Sequence, residues 1–475
     1  VTGTLSRRAG RALGWSLVNI LVAKVGTLAI GIALARILGP EEFGVFAVAM
    51  VALLAMLSFN ELGVSLAIVR WPGDPREIAP TVMTCATVSS LVVYAGCYLA
   101  APSFAAAMGA PEATGVVRLL AVNVIIAGLV ITPVALLQRE FRQDRKMLAD
   151  QVNNWLGAFV SIGLALLDFG AMSLAAGRLA GAAVSGVLFF AFAPMRFGFD
   201  AAKARALYAF GLPLAGSSIV FFAVAYVDQI VIGASLGAVA LGYYSLATNL
   251  SLWPHSIFSQ PARQVAPAVW ARLQDDPPAM RGAFTAHLGL LAAVTFPVCV
   301  LLTGTAEPLI GFVYGQAWLP AADALVWLGL LVALRILFDL VYDYFITIGR
   351  TRVLFAIQVT WLVSLVPAMA LGVRLGGISG AGAAQVAVAL LVVLPFYAVQ
   401  LRRTGVDLAA LARRLAVPAL AAAAVVGACL VAGLFVTPDL LLLALCGLAA
   451  AVAAGLLLLG MRDTIRGLKG MEAVS

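Results

Sequence analysis

Charge is scarce in this chain. Asp, Glu, Lys and Arg together make up 11% of its 475 residues, well under half the share of an ordinary soluble domain, about 25%. A soluble globular protein is excluded on that ground. Histidine is nearly absent: His255 and His287 are the only two, both inside apolar runs and without a partner pattern. The five cysteines (Cys85, Cys97, Cys299, Cys429 and Cys446) also lie in apolar runs. None has a metal-ligand spacing or belongs to an oxidising-compartment framework, so they read as packing residues. No cofactor is expected. No loop between apolar runs is long enough to fold as a soluble domain. An embedded enzyme working on lipid-linked sugars would need an interfacial loop of clustered carboxylates or histidines, and none is written here. A cleavable leader is not expected either, because the first apolar run is as long as a span and lacks a small-residue cleavage site.

What the chain does contain is apolar sequence. Hydrophobic residues make up 63% and the mean hydropathy is +1.05, which one anchor helix cannot supply. In lipid every backbone N–H and C=O must be satisfied internally, so only helices or closed barrels span. Barrel strands alternate apolar and polar residues over about ten positions. Here the apolar runs continue over about twenty, the length that crosses the hydrocarbon as a helix. The expected fold is an all-α polytopic membrane protein of about fourteen helices. Spans fall at 13–37, 42–69, 79–101, 115–138, 149–168, 172–193, 207–235, 240–265, 281–304, 321–347, 352–373, 378–401, 411–435 and 438–461.

The net charge of +8 would suit nucleic acid, but the placement of the cations argues for a membrane instead. Of 30 Lys and Arg residues, 24 lie in the two termini and in every second loop. The run Arg139-Glu140-Phe141-Arg142-Gln143-Asp144-Arg145-Lys146 is the most basic of these loops, and the alternate loops 102–114 and 305–320 carry no cation. By the positive-inside rule both termini are expected in the cytoplasm, in the inner (plasma) membrane. Arg118 and Arg178 are then expected near the outer interface.

The chain also repeats itself. Leu38-Gly39-Pro40-Glu41-Glu42-Phe43-Gly44-Val45-Phe46 matches Leu236-Gly237-Ala238-Val239-Ala240-Leu241-Gly242-Tyr243-Tyr244, 198 residues later. Each stretch follows one long span and opens the next. Two parallel six-span repeats are expected, 1–206 and 207–402, with 403–475 adding two helices and a tail. Parallel repeats about an axis along the membrane normal are a transporter plan with the site at the repeat interface.

Several stretches together resemble a known family. The first is Ala35-Arg36-Ile37-Leu38-Gly39-Pro40-Glu41-Glu42-Phe43-Gly44. The second half offers Asp228-Gln229-Ile230-Val231-Ile232-Gly233 and Leu241-Gly242-Tyr243-Tyr244-Ser245-Leu246-Ala247. Ala306-Glu307-Pro308-Leu309-Ile310, Gly315-Gln316-Ala317-Trp318-Leu319-Pro320-Ala321-Ala322 and Leu136-Leu137-Gln138-Arg139-Glu140-Phe141 complete the set. In this order they are similar to the polysaccharide transporter family, the Wzx-like oligosaccharide flippases of the multidrug/oligosaccharidyl-lipid/polysaccharide exporter superfamily. The resemblance implies two six-helix bundles in a V around a central cavity. It also implies a flippase that passes polyprenyl-pyrophosphate-linked oligosaccharide from the inner to the outer leaflet by alternating access. Its partners would be the lipid-linked oligosaccharide, membrane lipids, and polysaccharide polymerase and export proteins; nucleic acid is not among them. The alternatives are a cation-coupled multidrug exporter of the same superfamily and, further off, a membrane-embedded glycosyltransferase.

Ionisable residues inside spans cost about 2.5–3.5 kcal/mol each at the bilayer centre on insertion scales, so they mark paths or cavities by default. Lys24, in the middle of the first span, is the candidate to bind a pyrophosphate; the other reading is a lysine that snorkels or pairs with Asp228. Asp228 is a candidate coupling site, the neutralising partner of Lys24, or a helix cap. Arg335, Asp339 and Asp343 recur at i, i+4 and i+8, which allows an Arg335–Asp339 pair along one helix. They form either a cavity stripe or a ladder that holds helices together. Asn60, Glu61, Asn249, His255 and Arg263 are further polar candidates, with His255 either a proton sensor or the donor of one structural hydrogen bond.

Overall fold

The computed structural model describes residues 2–60, 74–140 and 142–462. It describes their side chains throughout except at 2–25, 59–60, 206, 208–221, 224, 264–265 and 268. Among these residues there is no strand, and the helical class expected from the continuous apolar runs holds. Ten helices are long and apolar enough to cross a membrane; the chain is a multi-pass membrane protein.

The helices are α1 (Thr2–Asn60), α2 (Pro75–Ala107), α3 (Thr114–Arg139), α4 (Gln143–Ala165), α5 (Ala171–Phe192) and α6 (Ala201–Pro254). After a π turn at His255–Ser259 follow α7 (Gln260–Arg272), α8 (Pro277–Gly304), α9 (Ala306–Val313), α10 (Ala321–Thr347) and α11 (Thr351–Val388). A second π turn (Ala389–Val393) leads into α12 (Leu394–Arg403), and α13 (Leu408–Gly433) and α14 (Asp439–Gly460) close the chain. The count of ten against about fourteen expected has two sources. The helices α1, α6 and α11 each run through a place where a turn between two spans was expected, and each is interrupted there by non-helical glycine. Gly39 has φ 73 and ψ 176, and Gly237 has φ 81 and ψ −176. A side chain is disfavoured at such a φ, and Pro40, with its fixed φ and missing N–H, is suited to restart the helix. The second source is α4. It fills the expected span at 149–168, but Asp150, Gln151, Asn153 and Asn154 in its second and third turns keep it out of the apolar set.

Backbone packing divides the chain into two compact units, residues 1–106 with 110–219, and residues 107–109 with 220–475. In the first unit, Leu34, Ala165 and Leu174 bring α1, α4 and α5 together, with Phe43 and Phe46 against them. The α4–α5 contact is close because both faces are small. A Cβ added to Gly177 would lie 2.5 Å from the Gly157 carbonyl oxygen, and one added to Gly181 would lie 2.4 Å from that of Asn153, the small-residue packing that membrane helices use in place of a hydrophobic drive. Glu42 of the Leu38–Gly44 motif has a structural task here: its carboxylate accepts the Ala171 backbone N–H at 2.6 Å at the first residue of α5. An anion there meets unsatisfied N–H groups and the positive end of the helix dipole.

In the second unit, α8 and α10 pack through aromatic side chains. Phe284 stacks on Tyr344 with ring centroids 4.2 Å apart, and Trp270, fully buried, meets both edge-on. Its indole N–H donates to His287 Nδ1 at 3.2 Å, which gives that histidine a structural hydrogen bond. Helices α13 and α14 join through Val425, Cys429, Leu442, Cys446 and Ala450. Their outer residues, such as Leu430 and Leu456 at 59% and 64% exposure, are a surface fit for lipid rather than water.

Candidate functional site

In the second unit, α6, α7, α10 and α11 place most of the polar side chains singled out from the sequence into two adjoining networks. The first is centred on Arg263. Its guanidinium grips Asp343 with two hydrogen bonds, Nε to Oδ2 at 2.6 Å and Nη2 to Oδ1 at 2.8 Å, and its Nη1 lies 3.6 Å from Asp339 Oδ2. That same carboxylate oxygen is 2.6 Å from His255 Nε2. The fork geometry of arginine on a carboxylate is among the strongest side-chain contacts available.

The π turn explains why His255 and Arg263 reach the same partner. Eight residues along a regular α-helix rotate a side chain about 80° past its starting direction. One extra residue in the turn removes about 100° of that, leaving the two side chains nearly in line and facing α10. On α10, Asp339 and Asp343 are one turn apart and share that face. The ion pairs therefore run between helices. The Arg335–Asp339 pair that the i, i+4 spacing allows is not formed: Asp339 faces His255 and Arg263, and Arg335 points elsewhere.

The second network is centred on Asp228, 6% exposed. Its Oδ2 accepts the Tyr244 hydroxyl at 2.8 Å and lies 3.4 Å from Gln385 Nε2, and its Oδ1 accepts the Gln229 backbone N–H at 2.8 Å. Gln385 also donates to the Tyr244 hydroxyl. Its Oε1 accepts from Arg335 Nη2 at 3.3 Å, and the Arg335 guanidinium carbon sits 5.9 Å from the centre of the Trp361 ring, within reach of a cation–π attraction. Asp228 and Arg335 thus communicate through an amide rather than by direct contact. A buried carboxylate is tolerable only with such partners.

Chemically, the two networks hold three carboxylates, two guanidiniums and one imidazole. With His255 protonated the charges cancel; with His255 neutral one negative charge is in excess. Among the described residues no group of three or more His, Cys, Asp or Glu residues can hold a metal ion.

Asn249 is exposed on α6. Lys24, Asn60 and Glu61 lie outside the described residues as far as their side chains are concerned. Tyr244 and Gln385 are members of the site that sequence reasoning missed. Tyr244 was read only as the aromatic of a turn motif, and a glutamine in an apolar run carries no charge to draw notice. In the first unit, Arg178 lines a cavity of about 420 Å³ among the helices.

The profile of a family described as "Polysaccharide biosynthesis protein" matches residues 33–323. The chain is 27% identical over 353 residues to the succinoglycan biosynthesis transport protein ExoT of Rhizobium meliloti, covering 73% of this chain and 70% of that one. It is 21% identical over 371 residues to the lipopolysaccharide biosynthesis protein WzxC of Escherichia coli, covering 77% and 75%. Among solved structures, the lipid II flippase MurJ in an inward closed conformation shares the fold at a TM-score of 0.75 and 14% identity, over 94% of this chain and 100% of that one. An inward-facing multidrug resistance transporter of the MATE family, of the MOP superfamily, shares it at 0.62 and 18% identity, over 80% and 95%.

Proposed function

Because the chain belongs to the polysaccharide biosynthesis protein family, whose profile spans well over half of it, we propose that it is a flippase. Its cargo is a polyprenyl-pyrophosphate-linked oligosaccharide destined for surface polysaccharide, moved across the cytoplasmic membrane by alternating access. The observation that carries this reading is the family match, together with a relative over most of the chain whose name contains biosynthesis transport. The fold shared with a lipid II flippase supports it, as does a repeat written twice. Gly39 and Gly237, 198 residues apart, have nearly the same dihedrals. Gly170 (φ 53, ψ −140) and Gly377 (φ 56, ψ −135) also match each other, 207 residues apart. On this reading residues 1–206 and 207–402 are the two repeats, 403–475 is an addition, and both termini are cytoplasmic.

In this scheme Lys24 binds the pyrophosphate, and Asn60, Glu61 and Asn249 line the route. The His255–Asp339–Arg263–Asp343 and Asp228–Tyr244–Gln385–Arg335 networks are the polar core that is rearranged or protonated during transport. Polymerase and export proteins would take the product. Lipid extracts of a strain lacking the protein test the function. Accumulation of a finished lipid-linked oligosaccharide on the cytoplasmic side is expected; an unchanged lipid pool with intact surface polysaccharide refutes it. A multidrug resistance transporter also shares the fold, at a lower TM-score, and heightened drug sensitivity of that strain, without glycan loss, would select that reading instead.

A further inference from the structure

The first unit has a half-open cavity of about 420 Å³ between the second arm of α1 and helices α3, α4 and α5. Its polar wall is Arg178, Asn123, Asn153, Asn154, Ser161 and Ser185. Among the described residues Arg178 is the sole charged one that lines it, and among them it forms no ion pair or hydrogen bond. A cation inside a span is costly unless something answers its charge, and among the described residues no carboxylate lines this cavity to do so.

The guanidinium and the three primary amides lie within about 8 Å of one another along the bundle axis, with Ser161 and Ser185 to either side. Arg178 is seven residues from the start of α5, about 10 Å along the axis. Asn123 is nine residues from the start of α3, about 14 Å, and Asn153 is twelve from the end of α4, about 18 Å. These three helix ends lie on the same side, because consecutive helices run antiparallel. One guanidinium and three primary amides therefore form a band across the bundle. Asn123 spends one N–H on the Leu120 carbonyl at 3.1 Å and Ser185 its hydroxyl on Ala182 at 3.0 Å; Asn154 and Arg178 are exposed to the cavity space.

Size and charge narrow the ligand. The volume has room for on the order of ten or more water molecules and falls in the range of small-molecule sites, so a bare inorganic ion would leave most of it to water. One arginine offers a planar fork to one carboxylate. Amides and hydroxyls, which both give and accept hydrogen bonds, match sugar hydroxyls around it. By the 207-residue offset, Arg178 corresponds to Gln385 of the second unit, whose amide is already occupied by Asp228, Tyr244 and Arg335. The same place in the repeat holds a satisfied amide in one unit and a cation facing open space in the other.

We propose that this cavity is a subsite for a sugar residue carrying one carboxylate, with Arg178 on the carboxylate and Asn123, Asn153 and Asn154 on the hydroxyls. As a statement about cargo it rests on the flippase reading and makes that cargo an acidic glycan; as a binding site it is measurable without transport. The test is saturation-transfer NMR on the purified full-length protein with glucuronate, glucose and inorganic phosphate as probes. Saturable glucuronate binding is expected, at least tenfold tighter than glucose and not displaced by equimolar phosphate. Arg178→Gln should weaken it at least tenfold, with partial recovery in Arg178→Lys. Asn154→Leu, which narrows the exposed wall and leaves the charge, should also remove it without changing the melting temperature. Equal binding of glucose and glucuronate, displacement by phosphate at equal concentration, or an Arg178→Gln protein that still binds normally would each overturn the proposal. A lipid extract that shows cytoplasmic accumulation, alongside a protein that ignores glucuronate, would sink this subsite and leave the flippase reading standing.

Discussion

The Arg263–Asp343 contact is the place where a single substitution should cost most in the second unit. Asp343 is 8% exposed, and both of its carboxylate oxygens are held by Arg263. Removing one member of a buried pair costs about 3–5 kcal/mol, because the other charge is left uncompensated. Here the Arg263 side chain is 32% exposed against 10% for Asp343. Solvent therefore screens one side of the pair and pulls the figure toward that of surface bridges, to about 2–3 kcal/mol for Arg263→Ala. Asp339 contributes little to that loss, since it keeps His255 at 2.6 Å. In a unit of this size each kcal/mol moves the melting temperature by about 2–4 °C, so Arg263→Ala should fall by about 4–12 °C in a detergent thermal-unfolding assay. Arg263→Lys should recover only part, because an ammonium cannot make the two-pronged contact. Arg263→Gln combined with Asp343→Asn should recover more than half, since no charge is then stranded. A melting temperature within 1 °C of the parent for Arg263→Ala, or a double variant as unstable as the single one, would refute the view that an uncompensated carboxylate is what the arginine prevents.

Other outcomes follow from the same geometry. Gly39→Ala and Gly237→Ala should each cost about 1–2 kcal/mol for a left-handed residue, since an added Cβ meets no atom closer than 3.8 Å at either; a crystal structure with the turn dihedrals unchanged and no loss of stability would contradict this. Glu42→Ala should cost about 1 kcal/mol by exposing the first N–H groups of α5, read out as faster amide exchange at Ala171 than in the parent. Tyr244→Phe should destabilise by about 1–2 kcal/mol, as Asp228 loses its best donor, while Gln385 keeps the Arg335 contact; equal stability would mean the hydroxyl is dispensable. The hydrogen bond from Arg76, at 2.8 Å, is the main cause holding the Glu140 carboxyl below its ordinary range. A carboxyl depressed on folding stabilises only while ionised, so this tie is present above the ordinary carboxylate range and lost as pH falls through the lowered value. Amide exchange in the last turn of α3 should rise only below about pH 4, and Glu140→Gln should show that rise at neutral pH; a rise already at pH 6 would speak against it.

The helical class and the broken helices were legible in the sequence because they are written as runs and periods. Continuous apolar stretches exclude alternation, and a Leu-Gly pair recurring 198 residues later marks two turns whose dihedrals agree within about ten degrees. That window cannot decide partners. The i, i+4 spacing allowed an Arg335–Asp339 pair along α10, whereas Asp339 and Asp343 take His255 and Arg263 from another helix and Arg335 takes Gln385. The cause is the π turn, an inserted residue at His255–Ser259 that a fixed 3.6-residue period cannot represent. Tyr244 and Gln385 escaped for a second reason. They carry no charge, and their importance comes only from the carboxylate that three-dimensional packing brings to them. Arg178 escaped for a third. Counting residues from the turn at Gly170 puts it about 10 Å in, shallow enough to read as interfacial, but the sequence says nothing of which way a side chain faces in a helix with small residues on several sides. Gly177 and Gly181 let α4 approach on one flank of α5, and Arg178, next to that flank, is turned into the space between helices. Positions where a lone cation sits beside a small-residue stripe are therefore where depth alone does not decide, and where the helix contacts have to be known before the charge can be given a role.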